Sequence, residues 1–514
     1  MNDAGIAQRY TQLESSRDSF LTRARESAEL TIPTLMPPSG HTGSTEYSTP
    51  FQSVGSRGVN NLASKLLMSL LPPNSPFFRL TIDDFDLQEL AGPDARGKVE
   101  DGLARIERAG LQEIEASAIR VPVFEALKQL VVSGNSLIYM PRTGEGVKVF
   151  RLDRYVCKRD SMGNVLEIIT KESLSPQMLP EEVRALLDNP EDRNQRDYDL
   201  YTHVRRENNR WHVAQEVAGV EVPDSRGTYA IDKNPFIPLR FIRVDGEDYG
   251  RGYVEEYIGD LRSLELLTKA IVEGAAASSK VLFLVRPNGT TKARSLAQSP
   301  NGAIVSGDAN DVSTLQVQKA NDFRVAMETM ASITERLSFA FLLNSSVQRN
   351  AERVTAEEVR YMAQELETAL GGIYSILSQE FQMPLIKLLL DRLEKQGKMP
   401  KLPKDTIKPT VVTGLEALGR GQDLNKLSAF LQYLQPLGPQ VIAQELNVAD
   451  YLDRLGASLG IDTSGLIKSA EQKAQEQQMA MEQQQQAMMQ QTMAGMAQRA
   501  TPEIAKAAMA QQGN

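Results

Sequence analysis

The chain is poor in the side chains from which most active sites are built. Among 514 residues there is one cysteine, Cys157, one tryptophan, Trp211, and three histidines, His41, His203 and His212. A single thiol excludes an intramolecular disulfide framework and suits a reducing compartment. Cys157 has no obvious base beside it, so a buried or half-buried thiol is the default reading. His203 and His212 flank a hairpin pattern around Asn208-Asn209, with neither cysteine nor carboxylate at zinc-ligand spacing. So few histidines give no basis for a Ser–His–Asp arrangement. A G-x-x-x-x-G-K-[ST] phosphate loop is also missing, because Gly97-Lys98 lacks the preceding glycine and the following hydroxyl. Gly144-Glu145-Gly146 and Gly419-Arg420-Gly421 are isolated turns. Asp83, Asp84 and Asp86 have no second carboxylate group at ligand spacing and read as a solvated turn. The expectation is no enzyme, no metal and no cofactor.

Long apolar runs and positive charge are scarce as well. The longest runs, Lys65 to Leu71, Val281 to Val285 and Leu385 to Leu390, fall far short of the ~20 residues of a membrane helix. The N-terminal stretch lacks a basic region leading into an apolar core, which predicts no signal peptide. These features predict a soluble intracellular product, without a membrane partner. The net charge is −9. A protein that grips DNA neutralises phosphates with clustered Lys and Arg, so this balance disfavours a sequence-specific binder. Trp211 and the tyrosines are scattered rather than interleaved with basic residues, and so more naturally fill a core than stack on single strands.

What the sequence does contain is long helical periodicity. After Tyr249-Gly250-Arg251-Gly252, apolar residues recur at Val254, Tyr257, Ile258, Leu261, Leu264, Leu267 and Ile271, which predicts a helix about 40 Å long. Its end, Gly274, Ala275, Ala276, Ala277 and Ser278, carries almost no side-chain bulk, so backbones can approach closely there. Short runs at 281–285, 303–305 and 313–317, between Pro, Asn, Gly and Asp breakers, predict strands in a small sheet. A return helix over 320–342 places Phe323, Met327, Met330, Ile333, Leu337 and Phe341 on one stripe. Two such helices cannot bury both stripes on each other alone, so some apolar surface should need further copies of the chain. Residues 2–30 read as a helix polar enough to lie on a surface, Gly371-Gly372 and Pro384 should kink the helix that opens at Thr355, and 395–409 reads as a Lys/Pro-rich connection.

The runs "YGRGYVEEYIGDLRSLE" and "PFQSVGSRGVNNLASKLLMSLLPP" closely resemble the portal, or head-to-tail connector, proteins of short-tailed, podovirus-type phages, colinearly over about residues 1 to 470. The resemblance implies an α+β portal fold with an α/β wing, long antiparallel stem helices, a small β-rich clip and a helical crown. By that order, 1–248 is the wing, 249–280 the first stem helix, 281–318 the clip and 319–342 the second stem helix. Then follow a tunnel loop at 343–354, a long kinked helix at 355–395, a crown at 396–468 and a Gln/Met-rich tail at 469–514. That tail favours helix but has little to bury, so frayed helix or disorder is expected.

The resemblance further implies a virion protein: a twelve-subunit ring at one capsid vertex, with double-stranded DNA in its channel. Packaging would be driven by a separate terminase large subunit. Other implied partners are major capsid and scaffolding proteins and a tail adaptor. Asn344, Ser345, Ser346, Gln348, Arg349, Asn350 and Arg353 would line the channel at the tunnel loop. Alternatively this is a solvated loop whose arginines pair with Glu352 or Glu357. Arg286, Lys292 and Arg294 are docking candidates on the clip, although solubility explains them equally well. Gly274, Ala275, Ala276, Ala277 and Ser278 would serve oligomer packing in the stem. The competing reading is a virion structural or scaffolding ring without a DNA channel.

Overall fold

In the computed structural model the described residues are 5–73, 77–81, 93–142, 146–179, 181–186, 197–278, 282–315, 320–343, 356–398, 410–413, 420–438 and scattered positions from 445 to 489. They belong to two compact units. One comprises Met1–Leu90 with Arg105–Gly419, the other Ala91–Ala104 with Arg420–Asn514.

The larger unit opens with α1 (Ile6–Glu29), α2 (Val54–Leu70) and β1 (Phe78–Thr81), followed by α3 (Pro93–Ala116), which divides between the units, and α4 (Arg120–Ser133). Strands β2 (Asn135–Tyr139), β3 (Lys148–Phe150), β4 (Tyr155–Arg159) and β5 (Val165–Leu174) precede the short α5 (Glu181–Leu186). Next come β6 (Tyr198–Glu207), β7 (Arg210–Val217), β8 (Val220–Glu221), β9 (Gly227–Ala230) and β10 (Phe236–Arg240). One sheet runs β4-β5-β6-β7-β8 with β9 also on β7, and a second runs β10-β2-β3. Each pairing among the described strands is antiparallel, so the region expected as an α/β wing is an antiparallel α+β body. The hairpin expected at Asn208-Asn209 forms there, both residues taking positive φ, 49° and 59°, as a tight turn between twisted strands requires.

Helix α2 sits at the centre. Val59, Leu62, Ala63, Leu66 and Leu70 fall at three-and-four spacing and are fully buried. They pack against α4 on one side and the later helices on another. Each such leucine contributes about 2 kcal/mol of burial.

The remaining elements are α6 (Tyr253–Glu256), α7 (Ile258–Ser278), β11 (Leu282–Val285), α8 (Ala293–Gln298), β12 (Val312–Leu315), α9 (Ala320–Ala340), α10 (Ala356–Ala369), α11 (Ile373–Leu377), α12 (Met383–Lys395) and β13 (Thr410–Thr413). In the smaller unit the longest described helix is α13 (Arg420–Leu434), where the Tyr451 hydroxyl donates to the Leu427 carbonyl at 3.3 Å. Among the described residues no helix is long and apolar enough to cross a membrane.

Four expectations need correction. Helix α1, expected to lie on the surface, buries Tyr10, Leu13, Leu21, Ala24 and Ala28, and even Arg17, against the sheet and α4. Val411 and its neighbours, just past the Lys/Pro-rich connection, form β13 and pair with β1. The run at 303–305 is not a strand; Ile304 is fully exposed, and three residues between turns find no partner. The helix expected to kink near Gly371-Gly372 is broken there, since both glycines take positive φ, 59° and 91°. A π-helical turn at Ser378–Gln382 follows and runs directly into α12, which carries Pro384 at its second position.

Candidate assembly and channel surfaces

The turn Tyr249–Gly252 is seated on the end of α4. The Asn135 side chain closes a two-bond clamp on Gly250, donating to its carbonyl at 2.7 Å and accepting from its N–H at 2.7 Å. A Cβ at Gly252 would lie 2.3 Å from the Val132 carbonyl oxygen, and one at Gly250 2.7 Å from the Gly134 carbonyl oxygen. Only glycine admits that approach. The Tyr249 hydroxyl accepts from the Cys157 N–H at 3.0 Å, beneath the sheet. Burial pushes the Cys157 thiol pKa up, which makes it an inert core residue.

From this seat departs the helix pair expected as the stem. Helices α7 and α9 run antiparallel, with Arg336 bound to Asp260 at 2.7 Å near the base and Gly274 meeting Phe323 near the tip. At the base Leu261, Leu264, Ile333 and Leu337 are buried. Further along, burial fades: Leu266 is 63% exposed, Val272 50%, Val325 61% and Met327 60%. Phe339, near the base, is 77% exposed. The expected small-residue segment divides. A Cβ at Gly274 would come within 2.8 Å of the Phe323 ring, so this glycine admits the chain's own return helix. Ala275, Ala276 and Ala277 are exposed, and the Ser278 side chain lies outside the described residues.

The expected channel residues Asn344, Ser345, Ser346, Gln348, Arg349, Asn350 and Arg353 lie outside the described residues. Their flanks do not. At the end of α9, Phe341 is fully buried, and a Cβ on Gly58 of α2 would sit 2.6 Å from its ring. Asn61 Nδ2 donates to the carbonyls of Phe341 and Leu342 at 2.9 and 3.0 Å, and the Tyr253 hydroxyl donates to that of Ala340 at 2.9 Å. These bonds satisfy carbonyls that a helix C-terminus leaves open. On the far side Lys65 of α2 reaches Glu365 of α10 at 3.3 Å. Helix α2 therefore holds both ends of the segment.

At the tip, β11 and β12 pair from Leu282↔Leu315 to Val285↔Val312. The loop between them is tied by Asp311, whose Oδ2 accepts from the Thr290 hydroxyl at 3.1 Å and the Thr291 N–H at 3.2 Å. The Thr291 N–H leads the bonds that hold this carboxyl below its usual range. Arg286, Lys292 and Arg294 are exposed on this tip and make no ion pair among the described residues.

The family model of the bacteriophage head to tail connecting protein matches residues 3–467. The chain belongs to that family. It is 45% identical to the portal protein of Escherichia phage T7 over 512 residues, 97% of this chain and 95% of that protein. It is also 45% identical to the portal protein of Enterobacteria phage T3, over 92% and 90% of the two chains. Among solved structures, a chain of the neck of an empty GTA particle is 11% identical, covers 74% of this chain and 86% of that one, and has a TM-score of 0.35, too low to carry an argument.

As a head-to-tail connector the chain is a structural component of the virion, with capsid and tail on either side. Sequence reasoning missed the connector's anchoring residues. Gly58, Asn61 and Tyr253 act on segments far away in the chain, and no local spacing marks them. His203, read as a sheet residue, makes a 2.8 Å contact with Glu167, which also binds Arg9 of α1 at 2.7 Å. Among the described residues no group of His, Cys, Asp and Glu forms a metal site.

Proposed function

We propose that copies of this connector stand side by side around an axis, with the α7–α9 stems forming the wall of a channel for duplex DNA. The observation that carries this reading is the exposed apolar surface of the stem. Leu266, Val272, Val325, Met327 and Phe339 are at least half exposed in one chain, on helices that pack only along one stripe. Surface of that kind marks an interface, and repetition of one heterologous contact closes a ring. The net charge of −9 is compatible with a wall along which DNA slides.

In this reading 1–248 is the wing, 281–318 the clip, 355–395 the helix returning to the wing and 396–468 the crown. The segment 343–354 is the tunnel loop facing the axis, where Arg349 and Arg353 touch phosphate and Asn344, Ser345, Ser346, Gln348 and Asn350 line the bore. Arg286, Lys292 and Arg294 meet the terminase large subunit during packaging and a tail adaptor afterwards. Twelve copies occupy one capsid vertex, in contact with major capsid and scaffolding proteins, and the genome enters and later leaves through them. Ala275, Ala276, Ala277 and Ser278 lie where stems meet. End-on electron microscopy of the purified protein tests the reading. Open-centred rings support it; a solid centre leaves a structural ring without a DNA role.

A further inference from the structure

The stem carries two complementary faces on different helices. One is a shallow groove along α9, lined by Met327, Met330, Ala331, Thr334, Glu335 and Ser338. Its floor is small where Ala331, Thr334 and Ser338 leave the backbone uncovered, and Met327 forms a flexible apolar wall. Glu335 belongs to the groove and Glu328 stands beside it; both are exposed, and neither makes an ion pair among the described residues. The other face is the outer side of α7. Leu266 stands out there at 63% exposure, two residues from the buried Leu264 and hence on the opposite side of the helix. It is flanked by Arg262 and Lys269. Both cations are only loosely engaged, Arg262 with Glu26 at 3.6 Å, Lys269 with Glu273 at 4.0 Å and with the Phe51 ring at 5.9 Å from its centroid, and both ion pairs are more than half exposed.

The spacings agree. Arg262 and Lys269 are two helical turns apart, as are Glu328 and Glu335, about 10 Å in each case. The chain's own α7 cannot fill its own groove, because it already faces α9 with the side that carries Leu264. The occupant with the matching pattern is therefore α7 of a second copy. We propose that Leu266 of one copy enters the α9 groove of the next, with Arg262 of the first pairing with Glu335 of the second and Lys269 with Glu328, the order that antiparallel helices standing side by side require. The two faces differ, so the contact passes from copy to copy rather than closing a pair. The charges set its register, while the leucine and methionines supply the apolar contact.

This inference rests on the ring reading, and the following experiment separates the two. Four full-length chains are compared for ring fraction by mass photometry at one concentration and salt, with circular dichroism confirming the fold. They are the parent, Arg262→Glu/Lys269→Glu, Glu328→Lys/Glu335→Lys, and the two sets combined. Each reversal alone should lower the ring fraction at least tenfold, and the combination should restore it to within twofold of the parent. If either reversal assembles like the parent, or the combination assembles no better than a single set, the proposed contact is overturned while the ring stands. A parent that stays monomeric overturns both. Leu266→Asp is a second check: the residue faces solvent in one chain, so the fold should hold while rings are lost, and unchanged rings contradict the contact.

Discussion

The body around α2 and the stem are built to different degrees of completion. In the body, apolar residues reach zero exposure and the charges are matched. Asp391 of α12 accepts from Arg142 at 2.9 Å, Lys233 at 2.6 Å and Lys395 at 2.7 Å. Burial raises the pKa of this carboxyl, but the three cations outweigh burial and hold it far below the carboxylate range. Nearby Arg392 is buried with its guanidinium against the Pro141 carbonyl at 2.6 Å. In the stem, by contrast, two helices touch along one stripe, their other faces keep leucine, valine, methionine and phenylalanine in water, and the ion pairs of Arg262 and Lys269 are long. The first region is finished by one chain; the second leaves apolar surface that the proposed ring would cover. Substitutions in the body should therefore be read in the stability of the chain, and those in the outer stem in assembly.

The sharpest break of that contrast is Leu66→Ala. It opens a cavity in the fully buried face of α2 and should cost about 3 kcal/mol in denaturant unfolding of the monomeric chain. A loss below about 1 kcal/mol would mean that α2 is not the centre of the body. Next is Asp391→Ala, which leaves three cations facing one another. Breaking a buried pair usually costs several kcal/mol, but these cations can turn to water, so about 2 kcal/mol is expected.

A smaller effect is pH-dependent. Burial pushes the Glu167 carboxyl up, but hydrogen bonds from His203 and Arg9 outweigh it and hold it down to about 2, below its ordinary 4.5. A depressed carboxyl stabilises above its unfolded value and loses that contribution as pH falls through the folded one. The attachment of α1 to the sheet should therefore weaken between about pH 4.5 and 2. Amide exchange along α1 should rise across that window, and Glu167→Gln should flatten the response. Smallest of all is Leu266→Ala, which should change monomer stability by less than about 0.5 kcal/mol. A larger loss would place Leu266 inside the fold and erase the contrast.

How much of this was readable beforehand follows the same division. Helices α2, α7 and α9 were legible because each buries a continuous stripe, and the stripe is written locally at three-and-four spacing. The Tyr249–Gly252 turn was legible because glycines are obligatory where it meets α4. Helix α1 was misread because polar residues lie on its buried face. Arg17 is hidden by donating to the Tyr10 hydroxyl at 2.9 Å and the Tyr155 carbonyl at 3.0 Å, so the apolar stripe is interrupted. Strand β13 went unseen because its partner, β1, is distant in sequence, and four residues of Thr and Val carry little signal alone. The stem's exposed apolar surface was foreseen from arithmetic: two helices offer more apolar face than each can cover on the other. Its two matching acid–base spacings were not, since nothing in one chain brings those faces together.

End-on electron microscopy of the purified full-length chain, at concentrations where its mass in solution has stopped rising, is the most direct test. The account predicts closed rings of side-by-side stems around an opening wide enough for a DNA duplex. A chain that stays monomeric at high concentration, or assemblies with a filled centre, would contradict it.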